Sequence, residues 1–309
     1  IIRSIYPEKY VAVIEGGREA NADLLEKRFD YIFFTGGTTV GRLVMESAAK
    51  HLTPVSLELG GKSPCIVDES ANIDLAARRI VWGKYLNAGQ TCVCPDYVLA
   101  HKNIKQTLIE RMQYWITRHY GENPLVSPDY AKIITERHYE RLNALSDGKN
   151  PANGMLVCGK ERDARLCKIA PVILDAPQAD SPVMSEEIFG PIMPVLEFTD
   201  LEKARDFVIA RPRPLALYFF SSSKKNIDFI VKRISYGGGC INDTIIHLAT
   251  SKMPFGGVGN SGMGRYHGKY SFDTFSHLKS VLTRGIRPDV SVRYPPYGEK
   301  LGLLKKLLK

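Results

Sequence analysis

The chain has 309 residues, 44% of them hydrophobic and 24% charged, which is typical of a soluble globular protein with one large or two ordinary domains. Its net charge of +9 could attract nucleic acid, anionic lipid or phosphate-bearing ligands. No nucleic-acid-binding signature accompanies the scattered Lys and Arg, so we expect no nucleic-acid partner, and a phosphorylated cofactor explains the charge as well. No apolar run in the sequence is long enough to span a bilayer.

The six cysteines are too sparse for a disulfide framework, and no secretory signal precedes them, which favours a reducing, cytoplasmic compartment. Cys92 and Cys94 form a Cys-x-Cys pair, but no second Cys/His pair follows at the spacing of a zinc site, so we predict no metal site. Residues 1–5 resemble the middle of a domain. We therefore expect the chain to be a fragment, or a protein whose start is not represented.

Short apolar runs mark the predicted strands in the first sixty residues. Residues 10–14 predict a strand followed by a glycine turn, and residues 19–28 predict a short helix. The continuous apolar run 31–34 predicts a strand buried on both faces. In residues 55–59, apolar and polar side chains alternate, which predicts a further strand with Glu58 near its end.

Strand and helix patterns continue to alternate to about residue 234. The predicted strands are 66–67, 98–100, 155–157, 172–174, 193–196 and 215–220. The predicted helices are 74–86, a long one from about 104 that ends at Gly121, 130–145, 200–210 and 224–234. This repeated alternation predicts an α/β fold with a mostly parallel sheet.

A glycine turn, Thr35-Gly36-Gly37-Thr38, separates the strand at 31–34 from a helical pattern at 40–48. Such a turn can place backbone N–H groups and a helix N-terminus against an anionic group such as a pyrophosphate. The turn lacks the G-x-G-x-x-G spacing, and glycines between strand and helix are common, so the motif alone is weak.

Cys92 is the candidate nucleophile. It lies in the stretch 87–95, among small and polar residues, after an apolar segment that predicts a buried helix. A thiol at a helix end can have a lowered pKa and act as a nucleophile. A lone cysteine is more often an inert buried residue, however, and on this stretch alone that interpretation is favoured.

Glu58 and the pair Glu186-Glu187 are the candidate carboxylates. Glu58 precedes Gly60-Gly61 and is either a solvated charge at a strand end or a general base in a cleft. Glu186 and Glu187 could cap the following segment or hydrogen-bond ribose hydroxyls.

Two further stretches stand out. Residues 254–264 contain five glycines, which predicts a tight loop that passes close to other backbone. The tail 299–309 mixes leucine and lysine at helical spacing. It could lie on an anionic membrane surface, dock on a partner subunit or pack on its own protein.

Together these stretches resemble the aldehyde dehydrogenase superfamily, and in particular its class 3 branch, which includes the fatty-aldehyde and aromatic-aldehyde enzymes. The resemblance covers nearly the whole chain in the family's order. The matching segments are FTGGTTVGR (34–42), LTPVSLELGGKSP (52–64), NAGQTCVCPDY (87–97), SPVMSEEIFGPIMPV (181–195), PLALYFF (214–220) and PFGGVGNSGMGRYHGKYSFDTFSH (254–277).

The resemblance implies a role for each candidate residue. It makes Cys92 the nucleophile and Glu58 the general base of an NAD- or NADP-dependent aldehyde dehydrogenase. The cofactor pyrophosphate would lie beside Gly36, Gly37 and Gly41. The nicotinamide ribose would be held by Glu187, with Phe189 packed nearby. The remaining residues would shape the nucleophile loop or line the mouth of the site; they are Asn87, Gly89 and Phe255.

The implied reaction is oxidation of a medium- or long-chain aliphatic or an aromatic aldehyde to a carboxylic acid. Cys92 attacks the aldehyde carbonyl, hydride transfer leaves a thioester, and water activated by Glu58 hydrolyses it. The alternative is a catalytically incompetent fragment, or a binding or structural protein that retains the fold.

Three departures from the family pattern accompany the resemblance. The family's oxyanion asparagine, its adenosine-binding strand and a cofactor-selecting lysine lie upstream of Ile1. Gly37 stands where a serine is frequent, and Cys94 stands where alanine is frequent.

The resemblance also implies the organisation of the chain. Residues 1–57 would end the cofactor domain, and residues 58–260 would form the catalytic domain. Residues 261–309 would return to the cofactor domain and supply an oligomerisation strand and the basic tail. Relatives of this branch are typically dimers, and some have a membrane-associating C-terminal segment. We therefore expect a homodimer with possible peripheral membrane contact.

Overall fold

Helices and strands alternate in the computed structural model, which describes residues 1–289 and 291–307. The strands β1 to β12 are, in order, Ile32–Gly36, Val55–Leu59, Pro64–Val67, Tyr97–His101, Met155–Cys158, Arg162–Asp163, Lys168–Ile169, Val172–Asp175, Ile192–Phe198, Ala216–Phe220, Gly238–Ile241 and Gly262–Met263. The α-helices α1 to α11 are Ile2–Ile5, Arg18–Leu25, Thr38–Ala49, Ile73–Tyr85, Lys105–Tyr120, Glu136–Ser146, Pro182–Ser185, Leu201–Ile209, Lys224–Arg233, Lys269–Thr274 and Leu301–Leu307. The backbone divides into two compact units, Ile1–Phe275 and Ser276–Lys309.

A seven-stranded sheet in the order β11-β10-β3-β4-β9-β8-β5 organises most of the first unit. All neighbouring strands in it are parallel except β5, which runs antiparallel to β8. The central strands β3, β4 and β10 are buried along their whole length because helices cover both faces of a parallel sheet. The predicted α/β fold with a mostly parallel sheet is confirmed.

A second, three-stranded sheet in the order β1-β2-β12 places Glu58 on its central strand. β2 runs parallel to β1 and antiparallel to β12, and Glu58 pairs with Gly262. Helix α3 packs on this sheet through a small apolar cluster of Val44, Leu57 and Leu59. Glu58 is therefore covered by backbone and side chains instead of ending at the surface.

Two predictions for the first residues are wrong. Residues 11–14 form no strand and are exposed. A short apolar run forms a strand only where it finds a partner to complete its hydrogen bonds, and the described sheet contains no strand beyond β1. Strand β1 is present, but its residues alternate between half-buried and exposed instead of being buried on both faces.

The predicted helix 130–145 is wrong at its start. Helix α6 begins at Glu136, because the Thr135 side chain caps it by accepting a hydrogen bond from His138 N at 3.2 Å. The preceding segment is held separately, since Tyr130 is buried and donates its hydroxyl to Ile169 O at 2.7 Å.

The predicted close approach of the glycine-rich loop is confirmed. A Cβ at Gly257 would lie 2.0 Å from Ser261 O, and one at Gly256 would lie 2.3 Å from Gly264 O. Only glycine permits backbone contacts this short. One part of the loop, Gly262–Met263, is nevertheless a short strand, β12.

The second unit contains a helical tail. Helix α11 covers Leu301–Leu307, so the predicted helical spacing of the tail is confirmed there, whereas residues 308 and 309 lie outside the described part. Residues 276–289 form no strand, and the predicted oligomerisation strand would require a partner for its hydrogen bonds. None of the helices in the described part of the chain combines the length and the apolarity that crossing a membrane requires.

Replacement of Ile66 by Ala should lower the free energy of unfolding by about 3 kcal/mol, because it leaves a cavity in the central strand β3. Ile66 is fully buried. Urea unfolding followed by circular dichroism measures the loss. The matched control, Ile209→Ala on the exposed end of α8, should stay within about 0.5 kcal/mol of wild type. Equal losses in the two variants would contradict the assigned core.

Candidate active site

A cavity of about 520 Å³ lies between the end of the small sheet and the loop that follows α4. It is lined by Thr35, Gly36, Gly37, Glu58, Leu59, Gly60, Gln90, Thr91, Cys92, Glu187 and Phe189. The structure thus brings together the candidate nucleophile, the candidate base, the glycine turn and the carboxylate loop, which are far apart in the sequence. Gly41, Asn87 and Phe255 do not line this cavity.

Between α4 and Cys92, three consecutive residues have a left-handed backbone conformation, which changes the direction of the chain. Asn87, Ala88 and Gly89 have φ values of 52°, 51° and 74°. For a non-glycine residue this conformation costs on the order of 1 kcal/mol and is found where surrounding structure enforces it. A Cβ at Gly89 would lie 2.2 Å from Gly190 O, so glycine is required there. The side chain of Asn87 is exposed and donates Nδ2 to Gln90 O at 3.1 Å.

The Gln90 side chain fixes this loop. Its Nε2 donates to Asn87 O and to Lys132 O, both at 3.0 Å, and its Oε1 accepts from Ile134 N at 2.9 Å. One amide therefore satisfies three backbone groups and connects the nucleophile loop to the segment before α6. Sequence reasoning missed this role, because the Gly-Gln pair before Cys92 gives no sign of what its amide contacts.

Cys92 is half-buried, and its pKa is raised to about 11. Burial is the main cause, and the nearby carboxyl groups of Glu58 and Glu187 add to it, while backbone N–H groups of Cys92 and Val93 oppose it. The lowered pKa that a thiol at a helix end can have is therefore not found in this arrangement. At neutral pH the group is a thiol and must lose its proton in order to act as a nucleophile.

Glu58 is only 3% exposed, and its Oε1 accepts no hydrogen bond from any described residue. Burial raises the pKa of its carboxyl to about 8. A solvated charge at a strand end is therefore excluded. A carboxyl group with a pKa near the working pH in a cavity has the properties of a general acid or base.

Glu187 faces the same cavity, and its pKa is raised to about 7. Burial is the largest cause and Asp96 adds to it, whereas the Gly61 N–H and nearby lysines lower the pKa. A Cβ at Gly60 would lie 1.9 Å from Glu187 Oε2, so the absence of a side chain at Gly60 makes room for this carboxylate.

A buried ion pair holds the loop that carries Glu187. Lys62 and Asp96 are in contact, with side chains 11% and 4% exposed. Lys62 Nζ also donates to Val183 O and Glu186 O, both at 2.9 Å, and Asp96 Oδ1 accepts from Ile188 N at 2.9 Å. Sequence reasoning assigned neither residue a role, although both lie in segments that it singled out.

The glycine turn leads into the twelve-residue helix α3, whose N-cap is Gly37. N–H groups in the first turn of a helix have no partner within the helix and favour an anion. No described atom lies within 4 Å of the position that a Cβ at Gly37 would occupy, so the approach to these groups is open. This turn, beside the cavity, fits a cofactor phosphate.

Gly41 has a different local role in α3. It is buried, and a Cβ there would lie 2.6 Å from Leu59 Cδ2. The missing side chain therefore lets α3 pack closely against β2.

No group of three or more His, Cys, Asp or Glu side chains in residues 1–289 and 291–307 has a geometry that could hold a metal ion.

Phe255 belongs to an aromatic cluster. It is 6% exposed, stacks on His267 with ring centroids 5.4 Å apart and meets Tyr266 edge-on at 5.6 Å. The pKa of Tyr266 is raised to about 12, chiefly by burial and further by Glu58 and Cys92. The cluster therefore lies in the electrostatic neighbourhood of the nucleophile and the carboxylate.

Comparison with known proteins identifies relatives along the whole chain. A model described as "Aldehyde dehydrogenase family" matches residues 2–281. The 4,4'-diaponeurosporen-aldehyde dehydrogenase of Staphylococcus aureus is 47% identical over 309 residues, which are 100% of this chain and 67% of that protein. The aldehyde dehydrogenase family 3 member A2 of Rattus norvegicus is 46% identical over 305 residues, or 96% of this chain and 62% of that protein.

Solved structures agree with these relatives. The substrate-bound state of Staphylococcus aureus AldH superposes with a TM-score of 0.95 at 47% identity, covering 100% of this chain and 67% of that one. An NAD-dependent aldehyde dehydrogenase from Sinorhizobium meliloti gives a TM-score of 0.81 at 32% identity, covering 89% of this chain and 55% of that one. The chain spans about two thirds or less of the length of these relatives.

Replacement of Lys62 by Met should lower the free energy of unfolding by about 3–5 kcal/mol, because it leaves the Asp96 carboxylate buried without its partner. Denaturant unfolding measures this loss. The control is Lys50→Met, which removes an exposed ion pair with Glu26 and should cost less than about 1 kcal/mol. Similar values for the two variants would show that the Lys62–Asp96 pair does not hold the site together.

Proposed function

This chain belongs to the aldehyde dehydrogenase family, and we propose that the protein containing it oxidises an aldehyde to a carboxylic acid with NAD or NADP. The observation that carries the proposal is the shared cavity. A half-buried thiol, a buried carboxyl group with a raised pKa and an open glycine turn at a helix N-terminus line the same space. These are the groups that covalent aldehyde oxidation requires.

The first chemical step is attack of the Cys92 sulfur on the aldehyde carbonyl carbon, which gives a tetrahedral thiohemiacetal. The Cys92 thiol must lose its proton as the C–S bond forms, and the deprotonated Glu58 carboxylate can accept it. Its raised pKa of about 8 makes it a stronger base than an ordinary carboxylate, but the pKa of the thiol is higher, about 11, so the proton moves only as C–S bond formation draws it off the sulfur. The backbone N–H of Cys92 is a donor for the oxyanion. Bound NAD or NADP supplies the acceptor for the hydride that leaves the aldehyde carbon.

The second step is hydrolysis of the Cys92 thioester. Glu58 in its ionised form takes a proton from water as the water attacks the acyl carbon, and the thiol is regenerated when the C–S bond breaks. The raised pKa keeps Glu58 basic enough to do this near neutral pH. The product is therefore an acid.

The cofactor would lie against the glycine turn. Gly36, Gly37 and the first-turn N–H groups of α3 would bind the pyrophosphate, with Gly41 keeping α3 close to the sheet. Glu187 would accept hydrogen bonds from the nicotinamide ribose, and Phe189 would pack beside the ring.

The substrate would be a medium- or long-chain aliphatic or an aromatic aldehyde. The aromatic cluster of Phe255, Tyr266 and His267 supports an apolar substrate, because Tyr266 brings its aromatic surface into the electrostatic neighbourhood of Cys92 and Glu58. The name of one relative, 4,4'-diaponeurosporen-aldehyde dehydrogenase, specifies an aldehyde for that protein only.

The assembly would be a homodimer. Leu278, Leu282 and Ile286 are more than 90% exposed in a segment without regular structure, and such apolar side chains favour a partner. The basic amphipathic helix α11 would support peripheral membrane contact of a cytoplasmic protein. The cofactor domain would end with residues 1–57, and the catalytic domain would consist of residues 58–260. Assembly would depend on residues 261–309.

Replacement of Cys92 by Ser should reduce aldehyde-dependent NAD(P)H formation at least about 10³-fold, because a serine hydroxyl is a far weaker nucleophile. The reaction is followed by absorbance of the reduced cofactor in the full-length protein. The control, Cys167→Ser, alters another half-buried thiol outside the cavity and should retain wild-type turnover. Wild-type turnover by the Cys92 variant would exclude the proposed nucleophile, and no turnover by the wild type would favour a non-catalytic protein.

Replacement of Glu58 by Gln should remove the pH dependence of thioester hydrolysis. In the wild type the active form of Glu58 is the carboxylate, so the rate should rise with pH and reach half its maximum near pH 8. Glutamine cannot take a proton, so thioester hydrolysis in the variant should be slow, and its rate should show no transition near pH 8. Stopped-flow measurement of the phase that follows the NAD(P)H burst tests this, and the same transition near pH 8 in both proteins would refute the role of Glu58.

A further inference from the structure

Phe189 has a backbone conformation that needs support. It is not glycine, yet its φ is +51°, and its side chain lines the cavity together with Cys92 and Glu187. The side chain is 37% exposed, so packing around it does not fix its position. Some other contact must hold this residue in the left-handed region.

His138 on α6 makes such a contact. Its Nε2 lies 2.7 Å from Phe189 O. A carbonyl oxygen only accepts, so we assign the proton to Nε2, which donates to Phe189. The other nitrogen, Nδ1, faces Arg141 Nε at 3.5 Å and accepts from it. Burial and Arg141 lower the pKa of His138, which is consistent with this neutral form.

The carbonyl of the preceding residue, Ile188, is bound by the same helix. Arg141 Nη2 donates to Ile188 O, so α6 binds two consecutive carbonyls of the loop through two side chains one turn apart. The segment just before α6 is attached to the nucleophile loop by the Gln90 contacts with Lys132 O and Ile134 N. Helix α6 therefore connects the loop of Cys92 to the loop of Glu187 and Phe189.

We propose that His138 is a positioning residue for the oxidation reaction, whose N–H donated to the Phe189 carbonyl fixes the Phe189 side chain at the cofactor side of the cavity. This inference rests on the proposed function. It assigns His138 no contact with the reacting atoms. The property that matters is a single N–H donor at the Nε2 position. Replacement of His138 also removes the Nδ1 acceptor of Arg141, so a second variant that restores only the donor is needed to separate the two contacts.

Two variants of the full-length protein separate the donor from the ring. His138→Phe keeps an aromatic ring beside Phe189 and removes the donor, whereas His138→Gln places an amide N–H near the position of Nε2. Loss of one hydrogen bond should raise the KM for the cofactor about three- to tenfold in the Phe variant. The Gln variant should return to within about twofold of wild type, an estimate from the same single bond.

His119→Gln is the matched control, since His119 is a half-buried histidine on α5 that packs against Trp115 outside the cavity. It should leave the cofactor KM unchanged. An unchanged cofactor KM in His138→Phe, or an equal rise in the Phe and Gln variants, would overturn the positioning role.

Hydrogen exchange tests the same inference without turnover. The amide of Ile188 donates to Asp96 and reports on the loop. Exchange in residues 186–190 should be faster in His138→Phe than in wild type and should return to the wild-type rate in His138→Gln. Unchanged exchange in His138→Phe would refute the positioning role, whereas absence of aldehyde oxidation in the wild type would refute the proposed function and leave this measurement intact.

Discussion

The buried ion pair between Lys62 and Asp96 is the interaction on which the site depends. Lys62 follows the strand that carries Glu58, and Asp96 follows the loop that carries Cys92. Both side chains bind the backbone of the loop that carries Glu187. Three segments that are distant in the sequence are thus joined at one place. Because a buried charge without its partner is costly, the pair favours one arrangement of these segments.

The ionisable groups that line the cavity explain its chemistry. Glu58, Glu187 and Cys92 share one partly buried space, and each has a pKa above its usual value. Burial is the largest cause for all three, because it penalises the charged form. The result is a site in which the two carboxyl groups change their protonation near neutral pH, whereas the thiol stays protonated there. A solvated glutamate would be ionised at all times and would be a weaker base.

Local patterns predicted the elements whose cause is local. The strands predicted at 55–59 and 215–220 are present as β2 and β10, and the glycine-rich loop follows from its composition. The start of α6 was wrong, because a single capping side chain, Thr135, sets it. The strand expected at 10–14 failed, because propensity alone supplies no partner for its hydrogen bonds.

The candidate site was predicted in part. Cys92, Glu58, Glu187 and the glycine turn were recognised by their motifs, and the structure places them on one cavity. Lys62, Gln90 and His138 were not recognised, because each acts by a side-chain hydrogen bond to backbone far along the chain. Such contacts leave no local pattern in a sequence. The raised pKa of Cys92 could not be read from the sequence either, because burial, its main cause, and the carboxyl groups that add to it depend on other segments of the chain.

Peptide mapping by mass spectrometry of Glu58→Gln, quenched with acid after mixing with aldehyde and NAD(P), tests the central claim most directly. Acylation should be slower than in the wild type, because Glu58 no longer accepts the thiol proton, but hydrolysis should be slowed more. The acyl group of the substrate should therefore accumulate on the peptide that contains Cys92, and hydroxylamine should release it, as it releases other thioesters. Fragmentation of that peptide distinguishes Cys92 from Cys94. An acyl group on any other cysteine, or none while NAD(P)H is formed, would contradict the assignment of Cys92 and Glu58 to a covalent oxidation.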